Sequence, residues 1–520
     1  MKDRAIKNVI FIMLDSLQFN YLGCYGNKWI KTPNIDALAR EGVLFENAYS
    51  EGLPTIPVRR AMMTGRYTLP YKGWGPLDRN DTTVADIMWG RGIHSALIYD
   101  SSPMRLPKYG YSRGFDEVHF LHGHEMDHYY YANDDLVHYD VDDFIEYSNY
   151  GDDNVDIKAI KPETESYLKA KQYWRSEEDN YGPRLMKRAM KFIEERDKTH
   201  PFMLWLDSFD PHQPWDAPSI WAGEPCPYDP DWTGKANINP PNGGVKNYSE
   251  AELHHMRMLY AEKVTMMDRW VGKFLDKLRQ EGLMENTLIM LTADHGVPIG
   301  NGEHGHGIMH KCRPWPYEEL VHIPMIIRMP GGPSGKRVKS FVQSCDVAPT
   351  LCDWLGIRKG SSMTFGDWDL PVAGVEDMQG ESLLPLVTGE KEKIRDFAIA
   401  GYYGYSWSII TDDYTYIHWL QNSHDSENWN TDQTQGFYSD FYQFREDALE
   451  GDDLGSNAHP QAQEMWSCSP SANVTCPDID GFYDRRTDPF QLNNIIKEQP
   501  EKAKELFDKL RLFMGELKTM

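Results

Sequence analysis

The stretch GLPTIPVRRAMMTGRY, residues 52–67, places a hydroxyl, a helix start and a guanidinium within about one turn of each other. Proline favours the first positions of a helix, so Pro57 puts Thr55 at or beside the cap. Free backbone N–H groups and the positive dipole end favour an anion there. Arg59, four residues on, shares that side of the turn. A nucleophile, an anion-binding helix end and a guanidinium suit a phosphate or sulfate ester. The same residues also read as an ordinary capping threonine followed by a surface arginine pair.

Other chemistry-bearing residues follow apolar runs. Asp15 closes NVIFIMLD, and Tyr99, Asp100 and Ser101 close HSALIYDS. Asp210 and His212 follow PFMLWLDS, and Asp294 and His295 lie in NTLIMLTADHG. Ligand groups in open α/β sheets gather at the carboxyl ends of strands. Asp15, Asp294, His295 and the Thr55 oxygen are the expected ligands of one divalent metal. Oxygens plus one imidazole favour Mn²⁺, with Zn²⁺, Mg²⁺ or Ca²⁺ as alternatives. Such a metal would lower the pKa of the threonine hydroxyl, otherwise a poor nucleophile. Downstream, GEHGHGIMHK supplies His304, His306, His310 and Lys311. Lys311 reads as a fixed cation for a non-bridging oxygen. An Asp-His pair such as Asp294-His295 reads equally as a satisfied hydrogen-bonded couple.

The elements that must position these residues follow from pattern. Continuous apolar runs read as strands buried on both faces. Helices are expected at TPNIDALAREG, from Thr55, at TTVADIMWGRG, at PRLMKRAMKFIEERDK and from Glu250 to Glu281. The alternation predicts an α/β sheet with helices on both faces. HIPMIIRMPGG is a further expected strand. Residues 122–181, rich in Tyr, His, Asp and Asn, read as an insertion, and its segment from Tyr129 to Tyr150 as a surface that stacks on a sugar or glycerol backbone, or as a solvated loop or subunit contact. After about residue 395, SWSIITDDYTYIHWL reads as a hairpin and EKAKELFDKLRLFMGEL as a terminal amphipathic helix, with a long polar loop over 421–480. The expected organisation is a catalytic domain over 1–394 and an α+β subdomain over 395–520.

Composition narrows the function. Among 520 residues, Lys+Arg number 54 and Asp+Glu 79, a formal net charge of −25. That excess argues against a nucleic-acid backbone binder, which needs a basic footprint. It suits an enzyme that holds a small anionic ester, or a substituted glycan, with a few placed cations. The seven cysteines are scattered, with only Cys468 and Cys476 close in sequence, so reduced thiols are expected. No apolar run reaches the ~18 residues of a membrane span. The N-terminal segment lacks signal-peptide features. A cytoplasmic protein without a membrane partner is expected, and self-association is left open.

The order of NVIFIMLDSLQFNYLGCYG, TPNIDALAREGVLFENAYS, TIPVRRAMMTGRY, DPHQPW, LIMLTADHG, YEELVHIPMIIRMPG, CDVAPTLCDWLGI and FYDRRTDPFQLNNI resembles the sulfatase and phosphonate monoester hydrolase branch of the alkaline phosphatase superfamily. The resemblance implies an alkaline-phosphatase-like α/β/α sandwich with a smaller C-terminal α+β subdomain. It also exposes departures. Sulfatases carry Cys or Ser at the position of Thr55 and oxidise it to formylglycine, whose hydrate expels sulfate by breaking its own C–O bond. Thr55 carries a β-methyl group and cannot become that aldehyde. Phosphodiesterases and phosphatases of the superfamily use unmodified Thr or Ser. Tyr99 to Ser102 stand where many sulfatases have Gly-Lys-x-His. His295 stands where calcium sulfatases have Asn, and Ser16 replaces the second Asp of an Asp-Asp pair.

These departures predict a metal-dependent phosphoester hydrolase, preferentially a phosphodiesterase of a phosphorylated sugar or glycerol, acting through phosphothreonine. Thr55 is the expected nucleophile, Arg59 and Lys311 the expected charge neutralisers and His212 the expected general acid. Tyr99, Ser101 and His304 are expected to contact substrate. A phosphonate hydrolase or sulfatase is the alternative enzyme, and a degenerate sulfatase-like binding protein the alternative of another class.

Overall fold

In the computed structural model, residues 7–106, 108–124, 140–146, 155–300, 305–311, 313–358, 362–365, 368–371, 375–420, 477 and 479–519 are described. Eight strands form the main sheet: β1 Asn8–Leu14, β2 Val43–Tyr49, β3 His94–Tyr99, β4 Glu117–Phe120, β5 Phe202–Ser208, β6 Thr287–Thr292, β7 Met325–Arg328 and β8 Lys336–Gln343. Their spatial order is β8-β2-β7-β6-β1-β5-β3-β4. All neighbouring pairs are parallel except those of β7, which runs antiparallel to both β2 and β6. β1, β5 and β6 are buried along their whole length, as their unbroken apolar runs require.

Two groups of helices cover this sheet. The long helix α6, Glu250–Gln280, packs against α1, Pro33–Glu41, and α5, Tyr181–Glu195. Helix α2, Thr55–Thr64, packs against α3, Val84–Gly90, and α7, Val347–Trp354. The α/β/α expectation is therefore met. Ser249 and Glu252 form a reciprocal capping box that starts α6.

A second sheet has four antiparallel strands, β9 Ala398–Tyr402, β10 Ser406–Ile410, β11 Tyr414–Trp419 and β12 Gly481–Asp484. The expected hairpin is β10–β11. The closing helix α8, Pro500–Thr519, buries Ala503, Leu506, Leu510, Met514 and Leu517 at helical spacing against Ile399, Trp407, Ile409, Tyr416 and Phe482.

Part of residues 122–181, read as an insertion, contributes to the core where it is described. Helix α4, Val155–Ala170, crosses that stretch, and Tyr167, Leu168 and Trp174 lie in the main core. Their aromatic surface packs inward, although the surrounding polar residues read as loop. The Tyr129–Tyr150 surface lies largely, and the 421–480 loop almost entirely, outside the described residues, as do Cys468 and Cys476. Cys24, Cys226, Cys345 and Cys352 are free. Among the described residues no helix is long and apolar enough to cross a membrane.

The start of α1 is completed from a distance. Its N-cap residue Thr32 makes no side-chain cap bond. Instead the Asp268 carboxylate on α6 accepts from the N–H groups of Asn34 and Ile35 at 3.0 and 2.7 Å and from Asn34 Nδ2 at 2.8 Å. Replacing such a cap costs about 1–2 kcal/mol, more when buried donors are orphaned. Asp268→Ala is expected to lower the thermal midpoint by several degrees without loss of secondary structure at 25 °C. Calorimetry and circular dichroism check this; an unchanged midpoint would remove Asp268 from the role of cap.

Candidate functional site

Sheet register brings the acids together. In the parallel pairing β1–β5, Met13 lies opposite Asp207; in β1–β6, Met13 lies opposite Thr292. Paired residues of parallel strands share a face, and residues two apart share it again. Asp207 and Asp15 therefore leave the sheet on one side, and Asp294, two residues past Thr292, joins them. Asp15, Asp207 and Asp294 are fully buried.

Arg59 fills the space between them. Its Nη2 donates to Asp15 Oδ2 at 2.9 Å and to Asp207 Oδ1 at 2.7 Å. Nη1 donates to Asp294 Oδ2 at 2.7 Å and Nε to Asp207 Oδ2 at 3.0 Å. Nη1 also donates to the Thr55 carbonyl at 3.2 Å, which ties the guanidinium to the first turn of its own helix. Burial opposes the Arg59 charge, but Asp207, Asp294 and Asp15 outweigh it and hold its pKa well above the ordinary value. Burial raises the Asp15 carboxyl, reinforced by Asp294 and opposed by Arg59 and Lys311. Burial likewise raises Asp207 against the pull of Arg59.

Thr55 is the first residue of α2, capped by Pro54; Pro57 is thus the third helical residue, not the first. Thr55 Oγ1 lies 3.2 Å from His295 Nε2, both groups fully buried. His295 Nδ1 lies 2.7 Å from the Gly296 carbonyl. That carbonyl can only accept, so Nδ1 carries the proton and Nε2 presents its lone pair to Thr55. Burial, then the charge of Lys311, pushes the His295 pKa down to about 3. The neutral ring is the form that ligates a metal.

One ligand atom from each of Asp15, Asp294 and His295 falls within 4.8 Å of the others. Three buried carboxylates here face one guanidinium. A divalent cation on those three ligands fits both the donor set and the local charge, with Thr55 Oγ1 beside it. The hydroxyl of Ser16 donates to Asp15 Oδ1 at 2.9 Å and its N–H to Asp294 Oδ1 at 3.0 Å. Ser16 has φ 62, a left-handed conformation unusual for a residue with a side chain. These bonds, with Tyr260 donating to the Ser16 carbonyl at 2.8 Å, hold it there. Where a second acid would ligate, Ser16 orients the first.

His212 and Lys311 complete the site. Lys311 Nζ donates to His212 Nε2 at 2.5 Å, while His212 Nδ1 donates to the Gln213 carbonyl at 2.6 Å. Burial, then Lys311, holds His212 well below its ordinary pKa. With its Nδ1 proton on the Gln213 carbonyl, the ring presents Nε2 to Lys311 as an acceptor. Tyr99 pairs in register with Asp207 and so lies on its face, its ring against Phe120. Ser101 is buried beyond it, and the Ser101, Ser102 and Asp100 side chains each keep an oxygen without a protein partner. His304 lies outside the described residues. His306 instead contacts Glu319 and stacks on Tyr317, and His310 donates to or accepts from no catalytic group, its Nε2 meeting the Pro240 carbonyl at 2.6 Å. Sequence reasoning missed Asp207. Its signal was a lone carboxylate inside the otherwise apolar run FMLWLDS.

Known proteins resemble this chain over most of its length. The family model described as sulfatase matches residues 7–357, and that described as N-sulphoglucosamine sulphohydrolase, C-terminal, matches residues 302–443. The arylsulfatase of Clostridium perfringens is 26% identical over 379 residues, covering 67% of this chain and 75% of the relative. The N-acetylglucosamine-6-O-sulfatase of Bacteroides thetaiotaomicron is 22% identical over 500 residues, covering 80% and 79%. The phosphonate monoester hydrolase of Agrobacterium radiobacter shares the fold with a TM-score of 0.65 over 98% of this chain and 96% of that one, at 18% identity.

The ligand geometry carries a direct test. Equilibrium dialysis with Mn²⁺ is expected to give one ion per chain for the native protein and none for Asp294→Ala, with circular dichroism unchanged. Stoichiometric binding by the variant would remove Asp294 from the ligand set.

Proposed function

The chain belongs to the sulfatase family, and from that premise we propose that it is a phosphoester hydrolase that uses Thr55 unmodified, acting on a diester of a phosphorylated sugar or glycerol. The observation that carries this reading is Thr55 itself, whose oxygen stands against the Asp15, Asp294 and His295 cluster. A secondary alcohol cannot supply the hydrated aldehyde by which relatives release sulfate. It can carry a phosphoryl group that water later removes.

A divalent cation held by Asp15, Asp294 and His295, with Mn²⁺ the preferred ion, would lower the pKa of the Thr55 hydroxyl and neutralise phosphoryl charge. Thr55 releases its proton to water, and its oxygen forms a bond to phosphorus as the bond to the leaving alcohol breaks. Arg59 fixes the carboxylates and the first turn of α2, so the oxygen starts from a defined position. The Lys311–His212 pair supplies the proton that the departing alkoxide needs. Water then attacks phosphorus, the Thr55–phosphorus bond breaks and the hydroxyl is restored. The oxygens of Ser101, Ser102 and Asp100 that lack protein partners suit contacts with the alcohol part.

A second reading is favoured by the relatives' names. The Clostridium and Bacteroides proteins are sulfatases, the latter of N-acetylglucosamine-6-O-sulfate, so a sulfated sugar is the competing substrate. The two readings separate on a panel of aryl and sugar phosphodiesters, phosphonates and sulfates. The native protein is expected to cleave phosphodiesters faster than sulfates. Thr55→Ala is expected to lose at least ~10³-fold in kcat while still binding substrate, as deletion of a nucleophile does. Quenched turnover is expected to yield phosphothreonine at position 55 by mass spectrometry. Faster native cleavage of sulfate esters would overturn the phosphoester reading in favour of the second.

His212→Ala should slow alkyl leaving groups about 10²-fold or more and nitrophenol-like ones far less, since the latter depart unprotonated. Equal losses, read from kcat for the two ester classes, would leave His212 as a substrate-positioning group.

A further inference from the structure

His212 sits in the middle of the segment Phe209–Asp216 that follows β5. The ring stacks on Phe209 at a centroid distance of 4.0 Å, and its Nδ1 bonds the next residue's carbonyl. Both contacts are internal to the segment. The direction in which Nε2 points is therefore set by how the segment as a whole is anchored.

That anchor is one buried cation. Lys263, on α6, places Nζ 2.6 Å from Asp210 Oδ1 and 2.9 Å from Asp216 Oδ1. The same ammonium donates to the Pro214 carbonyl at 2.9 Å. The ammonium thus hydrogen-bonds residues two and four after His212 and ion-pairs with the residue two before it. All three side chains are about 1% exposed. The other Asp210 oxygen accepts from the Gly182 N–H at 2.9 Å, at the start of α5. Burial opposes the Lys263 charge, and Asp210 and Asp216 more than restore it. The segment is bound to α6 by charge and to α5 by a backbone bond.

We propose that Lys263 is a positioning residue for proton delivery. By holding Asp210, Pro214 and Asp216 on one ammonium, it fixes the His212 ring against Lys311 and so sets which leaving groups the site can expel. The proposal rests on the proton-donor reading of the Lys311–His212 pair. Lys263 is not placed to touch the reacting atoms: its described partners are those three residues, and it acts through the backbone that carries His212. A buried ion pair adds little net stability by itself. Its geometric demand is the stronger consequence, since an ammonium held by two acceptors and a second carboxylate narrows the arrangements open to the segment. A small displacement of a catalytic group can cost about 10²-fold in rate.

The test is a leaving-group comparison on the full chain. Lys263→Met keeps the length of the side chain and removes the charge. It is expected to slow an alkyl ester about 10²-fold and a nitrophenyl ester less than about 5-fold, reproducing the signature of His212→Ala. The double variant Lys263→Met/His212→Ala is expected to be no slower than His212→Ala, because two changes acting through one proton transfer do not add. Should Lys263→Met leave two buried carboxylates unpaired and fail to fold, Asp216→Asn keeps the Lys263–Asp210 pair and is expected to show the same selectivity at smaller amplitude. Equal losses for both esters, or additive losses in the double variant, would overturn the positioning role and leave a purely structural ion pair. Loss of selectivity in His212→Ala itself is the separate outcome that would sink the proton-donor reading.

Discussion

One guanidinium holds the centre of this molecule. Arg59 is fully buried and bonds carboxylates that follow or lie within three adjacent strands. A planar donor fork can meet three acceptors from different directions, which a lysine ammonium on a flexible stem does not reproduce. Removing one partner of a buried ion pair costs about 3–5 kcal/mol, because a charge is left without compensation. Here the loss of Arg59 would leave three. The order of the strands β6-β1-β5 fixes where the acids emerge, and Arg59 in turn fixes the start of α2 through the Thr55 carbonyl. Thr55, the Asp15 and Asp294 carboxylates and the sheet are linked through this one side chain.

The consequence is a site whose parts cannot be adjusted independently. His295 follows Asp294, and its N–H bonds that same carboxylate at 2.8 Å. Ser16 bonds both Asp15 and Asp294 while held in a left-handed conformation by Tyr260 of α6. Lys263 of the same helix reaches the segment that carries His212. The long helix therefore touches the Ser16 side of the site through Tyr260 and the His212 segment through Lys263, about one turn apart along its length. Strained backbone of this kind persists where its surroundings over-determine it, and such places cluster at functional sites.

Much of this was legible in the sequence, for physical reasons. Strands buried on both faces must be apolar throughout, so β1, β5 and β6 announced themselves, and Asp15, Asp294 and His295 stood out at their ends. Capping chemistry located α2, and helical periodicity located α6, to within a few residues. What stayed hidden depends on pairing in space. Asp207 becomes significant only when register sets it opposite Met13. The strands β2, β4 and β8 lack an uninterrupted apolar run, as in VLFENAY and KRVKSFVQ, because they lie toward or at the sheet margins or carry polar residues on one face. The antiparallel direction of β7 leaves no mark on its residues. Tyr167 and Trp174 were read with their polar neighbours, although they turn inward. The direction of the Lys311–His212 hydrogen bond could not be foreseen, since it depends on which ring nitrogen meets the Gln213 carbonyl.

Position 55 is different in kind from the rest of the site. Arg59 reaches it through its backbone carbonyl, and α2 fixes it through its place in the first turn. Neither contact depends on which side chain stands there. The fold can therefore hold Cys, Ser or Thr in the same place, while the substituents on that β-carbon decide what can be released after the first transfer. A β-methyl group leaves the ligand cluster, the guanidinium and the Lys311–His212 pair intact and closes the aldehyde route. On the reading proposed here, the divergence from sulfate to phosphate esters leaves the sheet in place and falls on side chains at the strand ends, Ser16, Tyr99 to Ser102 and His295 among them. At position 55 it needs a residue whose oxygen is presented to the ligand cluster and whose carbon cannot be oxidised to an aldehyde.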